Sequence, residues 1–227
     1  KRMRTMGRQI YAFGVAHEMG WNGPALDLID HGIRFIEKHG RSKNGGWVRT
    51  LGVDGSVSDS AEDAYDHSCI LLALAFALKA GHKDAARLGS ETFAFIDRHL
   101  SADGGASFLE TSQGGNPRRS NPHMHLFEAF LAWHKVTGEA AYLARATKIA
   151  NLFAARFFDP DTWTLGEYFE SDWLPAAGDK GTWTEPGHHF EWASLLVEYG
   201  EAANQPEFFG FARKLYASAI ANGLNRA

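Results

Sequence analysis

A block of about sixty residues recurs along this chain, and that recurrence limits the fold more than any other feature. Phe35-Ile36 returns as Phe95-Ile96, Gly45-Gly46 returns as Gly104-Gly105, and Phe153 keeps the same beat. Self-similarity at such a period marks stacked supersecondary units. Each block reads as helix, helix, long loop. Apolar periodicity and end signals predict helices over 3–19, 23–39, 61–79, 82–100, 122–137, 139–157, 187–202 and 206–222. Gly20, Gly40, Gly81, Gly138 and Gly223 stand where C-caps fall, and Pro122 and Pro186 where helices begin. The loops after the second, fourth and sixth helices are long enough to be functional.

The two helices of a unit differ. Residues 61–79 are apolar nearly all round through Ile70-Leu71-Leu72-Ala73-Leu74-Ala75-Phe76, which marks an element covered on every side. Residues 82–100 keep Lys83, Asp84, Arg87, Glu91 and Arg98 on one side, which marks an outer layer. An all-α toroid of helical hairpins accounts for inner helices buried all round better than an open solenoid does. A toroid of six hairpins needs twelve helices and eight are read here. The expectation is therefore one incomplete barrel domain over 1–227, with long loops at one mouth. The opening Lys1-Arg2-Met3-Arg4 and the closing Leu224-Asn225-Arg226-Ala227 read as cuts within a longer chain.

Composition excludes several classes. Lys plus Arg number 23 and Asp plus Glu 27, without basic blocks, which argues against nucleic acid. The longest apolar run, Cys69 to Leu78, is far short of the ~20 residues of a membrane span. The one cysteine, Cys69, has no internal partner, so a reducing, cytoplasmic setting is expected. The protein carries 11 His and 7 Trp, and these are the residues to place.

Arg8, His67, His125 and His188 recur at spacings close to the repeat, near the start of each inner helix. In a toroid such positions converge on one mouth of the cavity. Cys69 falls off that phase. Glu128 and Glu191 follow His125 and His188 by three residues, on the same helical face, where a carboxylate can fix the imidazole tautomer and raise its basicity. Three readings of these pairs stay open: a general base, a buried structural pair and a divalent-metal site. Arg8 offers a fixed charge for a phosphate or a polarised oxygen. Tyr65 and Asn121 offer a hydroxyl and an amide to a ligand, and Asn121 could alternatively cap its helix. Trp47, Trp163, Trp173 and Trp183 lie in loops, where they could face sugar rings or pack beneath the loops. Arg118-Arg119 is the dibasic step of these loops and could read a sugar phosphate or lie solvated.

Arg8-Gln9-Ile10-Tyr11-Ala12-Phe13, Tyr65-Asp66-His67, Asn121-Pro122-His123-Met124-His125 and, above all, Glu185-Pro186-Gly187-His188-His189-Phe190-Glu191-Trp192 resemble the N-acylglucosamine 2-epimerase family. That family includes mannose isomerases and cellobiose 2-epimerases. The resemblance runs over essentially the whole chain and implies an (α/α)6 barrel. It implies that His188 moves a proton at C2 of an open-chain sugar with Glu191 as helical partner. It implies that His125 serves ring opening and that Arg8 holds substrate oxygens. Tyr65, Asn121, His67 and Trp183 are the expected substrate-binding positions. A second histidine of the family has no match before residue 227. Neither a metal nor another cofactor is expected.

The function expected is aldose–ketose isomerisation of a mannose-type sugar through an enediolate, with histidine as acid and base. The alternatives are 2-epimerisation of N-acetylglucosamine or a free hexose, and a non-catalytic carbohydrate-binding toroid. An inverting glycosidase needs two opposed carboxylates, and Arg and His stand at these positions instead. The expected partner is a small sugar, with no nucleic acid and no membrane, and a homodimer is open.

Overall fold

The computed structural model describes residues 1–223. Its eight α-helices are α1 (Met3–Glu18), α2 (Ala25–His39), α3 (Ala64–Lys79), α4 (Ala85–Phe95), α5 (Ser120–Thr137), α6 (Ala140–Leu152), α7 (Pro186–Ala202) and α8 (Phe208–Gly223). They form four antiparallel hairpins, α1–α2, α3–α4, α5–α6 and α7–α8. The first helix of each hairpin belongs to an inner row, in which α3 packs between α1 and α5. The all-α hairpin class expected from the repeat is the one found. No described helix is long and apolar enough to cross a membrane.

Local chemistry sets the helix ends. Asp63 caps α3, its carboxylate accepting the backbone N–H groups of Tyr65 and Asp66 at 2.9 and 3.3 Å. That cap starts α3 three residues later than the apolar pattern suggests. Pro186 opens α7. α5 begins at Ser120, so Pro122 sits in its first turn, where a missing N–H costs nothing. Asn121 is thereby inside the first turn and is not a cap. Gly20, Gly81 and Gly138 turn left-handed at helix ends as expected, whereas Gly40 stays right-handed and Gly223 is the last described helical residue. The helical paths of α4 and α6 each continue through one π turn, Ile96–Leu100 and Phe153–Phe157.

α3 is buried on every side, with Ile70, Leu71, Ala73, Leu74 and Ala75 fully covered. α1 approaches it closely at Gly7, where a Cβ would lie 2.7 Å from the carbonyl oxygen of Cys69. Only glycine allows those two backbones to meet.

The long loops contain three two-stranded antiparallel ladders that the sequence did not foreshadow, being too short for an alternating pattern to register. They pair β1 (Thr50–Leu51) with β2 (Val57–Asp59), β3 (Ser101–Ala102) with β4 (Ser107–Phe108), and β5 (Arg118–Arg119) with β6 (Tyr168–Phe169). The β5–β6 ladder carries the loop after α6 back to the start of α5.

Three histidines fasten these loops to the inner helices in the same way. Each stands four residues after the N-cap of its helix and uses Nδ1 on that residue's carbonyl: His67 on Asp63, His123 on Arg119, His189 on Glu185, all at 2.8–2.9 Å. Each accepts, at Nε2, a loop backbone N–H at 3.0 Å: Trp47, Phe108 and Leu165 respectively. His67 also stacks on Phe95, and a Cβ at Gly46 would strike both rings. Burial lowers the pKa of all three, His67 to about 4 and His123 to about 3, so they are neutral acceptors. This corrects two expectations. His67 is not a substrate-binding residue: it is fully buried and both ring nitrogens are spent. Its equivalents in the repeat are His123 and His189, not His125 and His188.

Candidate active site

Counting from the N-caps Arg2, Asp63, Arg119 and Glu185 gives the true phase of the inner faces. Arg8, Cys69, His125 and Glu191 each stand six residues on. They line one cavity of about 390 Å³ together with Tyr11 and Glu128. Cys69, placed off phase by the sequence pattern, is thus in the same layer as Arg8. His188 stands three residues after its N-cap and points into an adjoining polar chamber formed by Tyr65, Arg119, Asn121, Glu167, Tyr168 and Glu185.

Tyr65 joins the two chambers. Its hydroxyl accepts from Arg8 Nη2 at 2.6 Å, and its ring stacks on His125 with centroids 4.7 Å apart. The Arg4 guanidinium lies 4.6 Å from that ring's centroid and is itself paired with the buried Asp66. Burial raises the Tyr65 pKa, so the phenol stays protonated as a donor. Burial likewise pushes the Cys69 thiol up to about 11, so it is no nucleophile at neutral pH. His125 Nδ1 meets Glu128 Oε2 at 3.1 Å, which is the i, i+3 pair read from the sequence.

The other expected pair does not form. His188 Nδ1–H donates instead to Oε1 of Glu167 at 2.9 Å, and Nε2 accepts from the Asn121 amide at 2.9 Å. Glu167 is buried, and its second oxygen accepts from Ser120 Oγ at 3.1 Å. Its hydrogen bond is the main reason the His188 pKa is raised above the ordinary value, against a burial effect that lowers it. Such a carboxylate fixes the tautomer with Nε2 free of a proton, as a general base requires. Among the described residues no three His, Cys, Asp or Glu side chains converge on a metal-holding cluster.

The family model for N-acylglucosamine 2-epimerase matches residues 1–227. The chain belongs to that family. A mannose-6-phosphate isomerase of Rhizobium meliloti is 34% identical over 95% of this chain and 57% of its own length. A D-mannose isomerase of Thermobifida fusca is 33% identical, with the same shares covered. The chain therefore spans somewhat more than half the length of the curated relatives it matches. Its fold is shared with a solved D-mannose isomerase (TM-score 0.85, 22% identity, 97% of this chain and 60% of that one). A cellobiose 2-epimerase from Bacillus thermoamylovorans matches it at TM-score 0.89 and 16% identity, over 100% and 62% of the two chains.

Within this epimerase-family chain, six of the eight expected residues gather: Arg8, Tyr65, Asn121, His125, His188 and Glu191 line the two chambers. Arg8 and Glu191 are exposed to the open lumen, and His125 is buried. The exceptions are His67, described above, and Trp183. The latter is about half exposed and lines a separate cleft beside Phe158 and Ser218. Trp47 and Trp173 are buried in packing, Trp47 donating its indole N–H to Thr92 and Trp173 lying under Arg118. Neither they nor Trp163 line either chamber. Arg118 is paired with Asp103 and Arg119 with Glu110, so the dibasic step is neutralised. Glu167 escaped the sequence reading because it lies in a loop 21 residues before its partner.

Proposed function

We propose that this chain carries the proton-transfer half of a sugar isomerase that interconverts an aldose and a ketose of the mannose–fructose type. The observation that carries the reading is His188, held at Nδ1 by buried Glu167, with Nε2 accepting from the Asn121 amide in a chamber lined also by Tyr65. In the open-chain aldose the Asn121 amide releases His188 Nε2, the C2–H bond breaks, the proton goes to that nitrogen, and the electron pair forms the enediolate across C1 and C2. Arg8 and the Tyr65 hydroxyl are the donors for its oxygens. His125, paired with Glu128, carries the proton of ring opening. Return of the proton to C1, with the hydroxyl proton passing from O2 to O1, gives the ketose, so the reaction is redox-neutral.

Charge supports an unphosphorylated sugar. Arg4, Arg118 and Arg119 are each paired with a carboxylate. Glu128, Glu167, Glu185 and Glu191 line the chambers, facing Arg8 as the one lining arginine without such a pair among the described residues. A phosphate dianion would meet a surplus of negative charge there. The names of the relatives, D-mannose isomerase and mannose-6-phosphate isomerase, agree on the mannose skeleton.

Incubation with mannose in deuterated water, followed by NMR, tests the reading. Fructose labelled at C1 is expected, and His188→Ala abolishes the exchange. Glucose labelled at C2 would replace isomerisation by 2-epimerisation. Absence of exchange with any hexose or N-acetylhexosamine would leave a sugar-binding toroid.

A further inference from the structure

The contact between Asn121 and His188 has an asymmetry. One end of the Asn121 amide, Nδ2, meets His188 Nε2 at 2.9 Å. The other end, Oδ1, is buried and has no hydrogen-bond partner. A buried amide oxygen left unpaired is costly, and native interiors rarely keep one without a reason. Turning the amide over about its Cβ–Cγ bond would break just the one bond to His188, because nothing holds the far end.

The chemistry of imidazole supplies the reason to turn. With Nδ1–H committed to Glu167, neutral His188 presents a lone pair at Nε2, which needs a donor. Protonated His188 presents N–H there, which needs an acceptor. An asparagine offers both in one plane. We propose that Asn121 is a positioning residue whose amide turns over with the proton on His188, donating from Nδ2 to the neutral ring and accepting at Oδ1 from the charged one. If the reading of His188 as base is right, the imidazolium formed during turnover is then held at both nitrogens. Glu167 takes one and Asn121 the other, so the proton stays in the ring plane, ready to be returned.

Other charges face the same ring. These are Glu185 at the start of α7, Glu191 one turn on, Glu167 before β6 and Arg119 before α5, and neutral His189 is its neighbour. None of them can exchange donor for acceptor at neutral pH. Asn121 can, so its effect on the titration of His188 has a sign that separates a turning amide from a fixed one. A fixed Nδ2–H at Nε2 opposes protonation, so its removal would raise the His188 midpoint. A turning amide favours the charged ring more than the neutral one, because a hydrogen bond to an ion is the stronger.

The test is an NMR titration of the imidazole nitrogens of His188 in the sugar-free protein and in Asn121→Leu. The midpoint is expected to fall by about half to one pH unit in the variant. In the parent protein the Asn121 side-chain amide resonances should move with the His188 midpoint. This second measurement needs no substitution and decides the matter if Asn121→Leu does not fold. A midpoint that rises or stays in Asn121→Leu, or amide resonances indifferent to His188, overturns the proposal. Sugar exchange is not read here, so a protein inactive on every sugar refutes the function proposed above and leaves this titration to be judged alone.

Discussion

His188 on α7 is bonded through Nδ1 to Glu167, a buried carboxylate delivered by the β5–β6 ladder rather than by its own helix. The carboxylate one turn along α7, Glu191, lies instead in the cavity with Arg8 and His125. His188 and its carboxylate partner thus come from different elements, and the ladder that joins them shapes the chamber as much as the helix does.

Replacing Glu167 by Gln keeps the shape and removes the charge. The His188 titration midpoint, raised chiefly by this hydrogen bond, is expected to fall by about one pH unit or more. Imidazole NMR checks the shift. The low-pH limb of any sugar-exchange rate should move to lower pH with it. Glu191→Gln should change the midpoint far less, since Glu191 acts on His188 through charge alone.

The loop-fastening histidines make a stability prediction. His67→Leu fills the space but strands the buried N–H of Trp47, at a cost of about 2–4 kcal/mol by chemical denaturation. His123→Leu strands Phe108 N–H in the same way. A loss under about 0.5 kcal/mol in both would show that the loops do not depend on these bonds.

Acid stability follows with a definite sign. His67 and His123 titrate at about 4 and about 3 when folded, against about 6.5 unfolded, so the unfolded chain binds more protons between those values. Their contribution is fully present above about pH 6.5 and is lost as the pH falls toward 4, by about 3 kcal/mol for His67. Asp66 acts in the opposite sense. Burial raises it to about 6, so it destabilises the fold above that pH and less below it. Together these three groups give a slope between pH 6 and 4 of two histidines less one carboxylate. Denaturant midpoints across that range check it, and His67→Leu should flatten the curve by one proton.

Gly7→Ala should destabilise by about 1–3 kcal/mol, since the added Cβ would sit 2.7 Å from backbone that cannot yield. Separation of α1 from α3 would also lengthen the 2.6 Å contact of Arg8 with Tyr65. Activity should fall further than the unfolded fraction accounts for. Parallel thermal melts and sugar-exchange rates would reveal a variant that loses stability alone.

Much of this was legible in the sequence. Hairpin pairing and the burial of α3 follow from apolar periodicity, and the His125–Glu128 pair follows from helical spacing, because these are local consequences of a 3.6-residue turn. The resemblance to a known family singled out Arg8, Tyr65, Asn121, His125, His188 and Glu191, and these residues line adjoining chambers. What the linear pattern left open was the role of each histidine. Adjacent residues on a helix point about 100° apart, so His188 faces a chamber while His189 faces a loop. A phase error of one or two residues exchanges a chamber-lining histidine for a fastener, and the N-caps that set the phase lie outside the apolar pattern. Glu167, finally, could be paired with His188 only once the chain had folded, because a loop returning across 21 residues obeys no period.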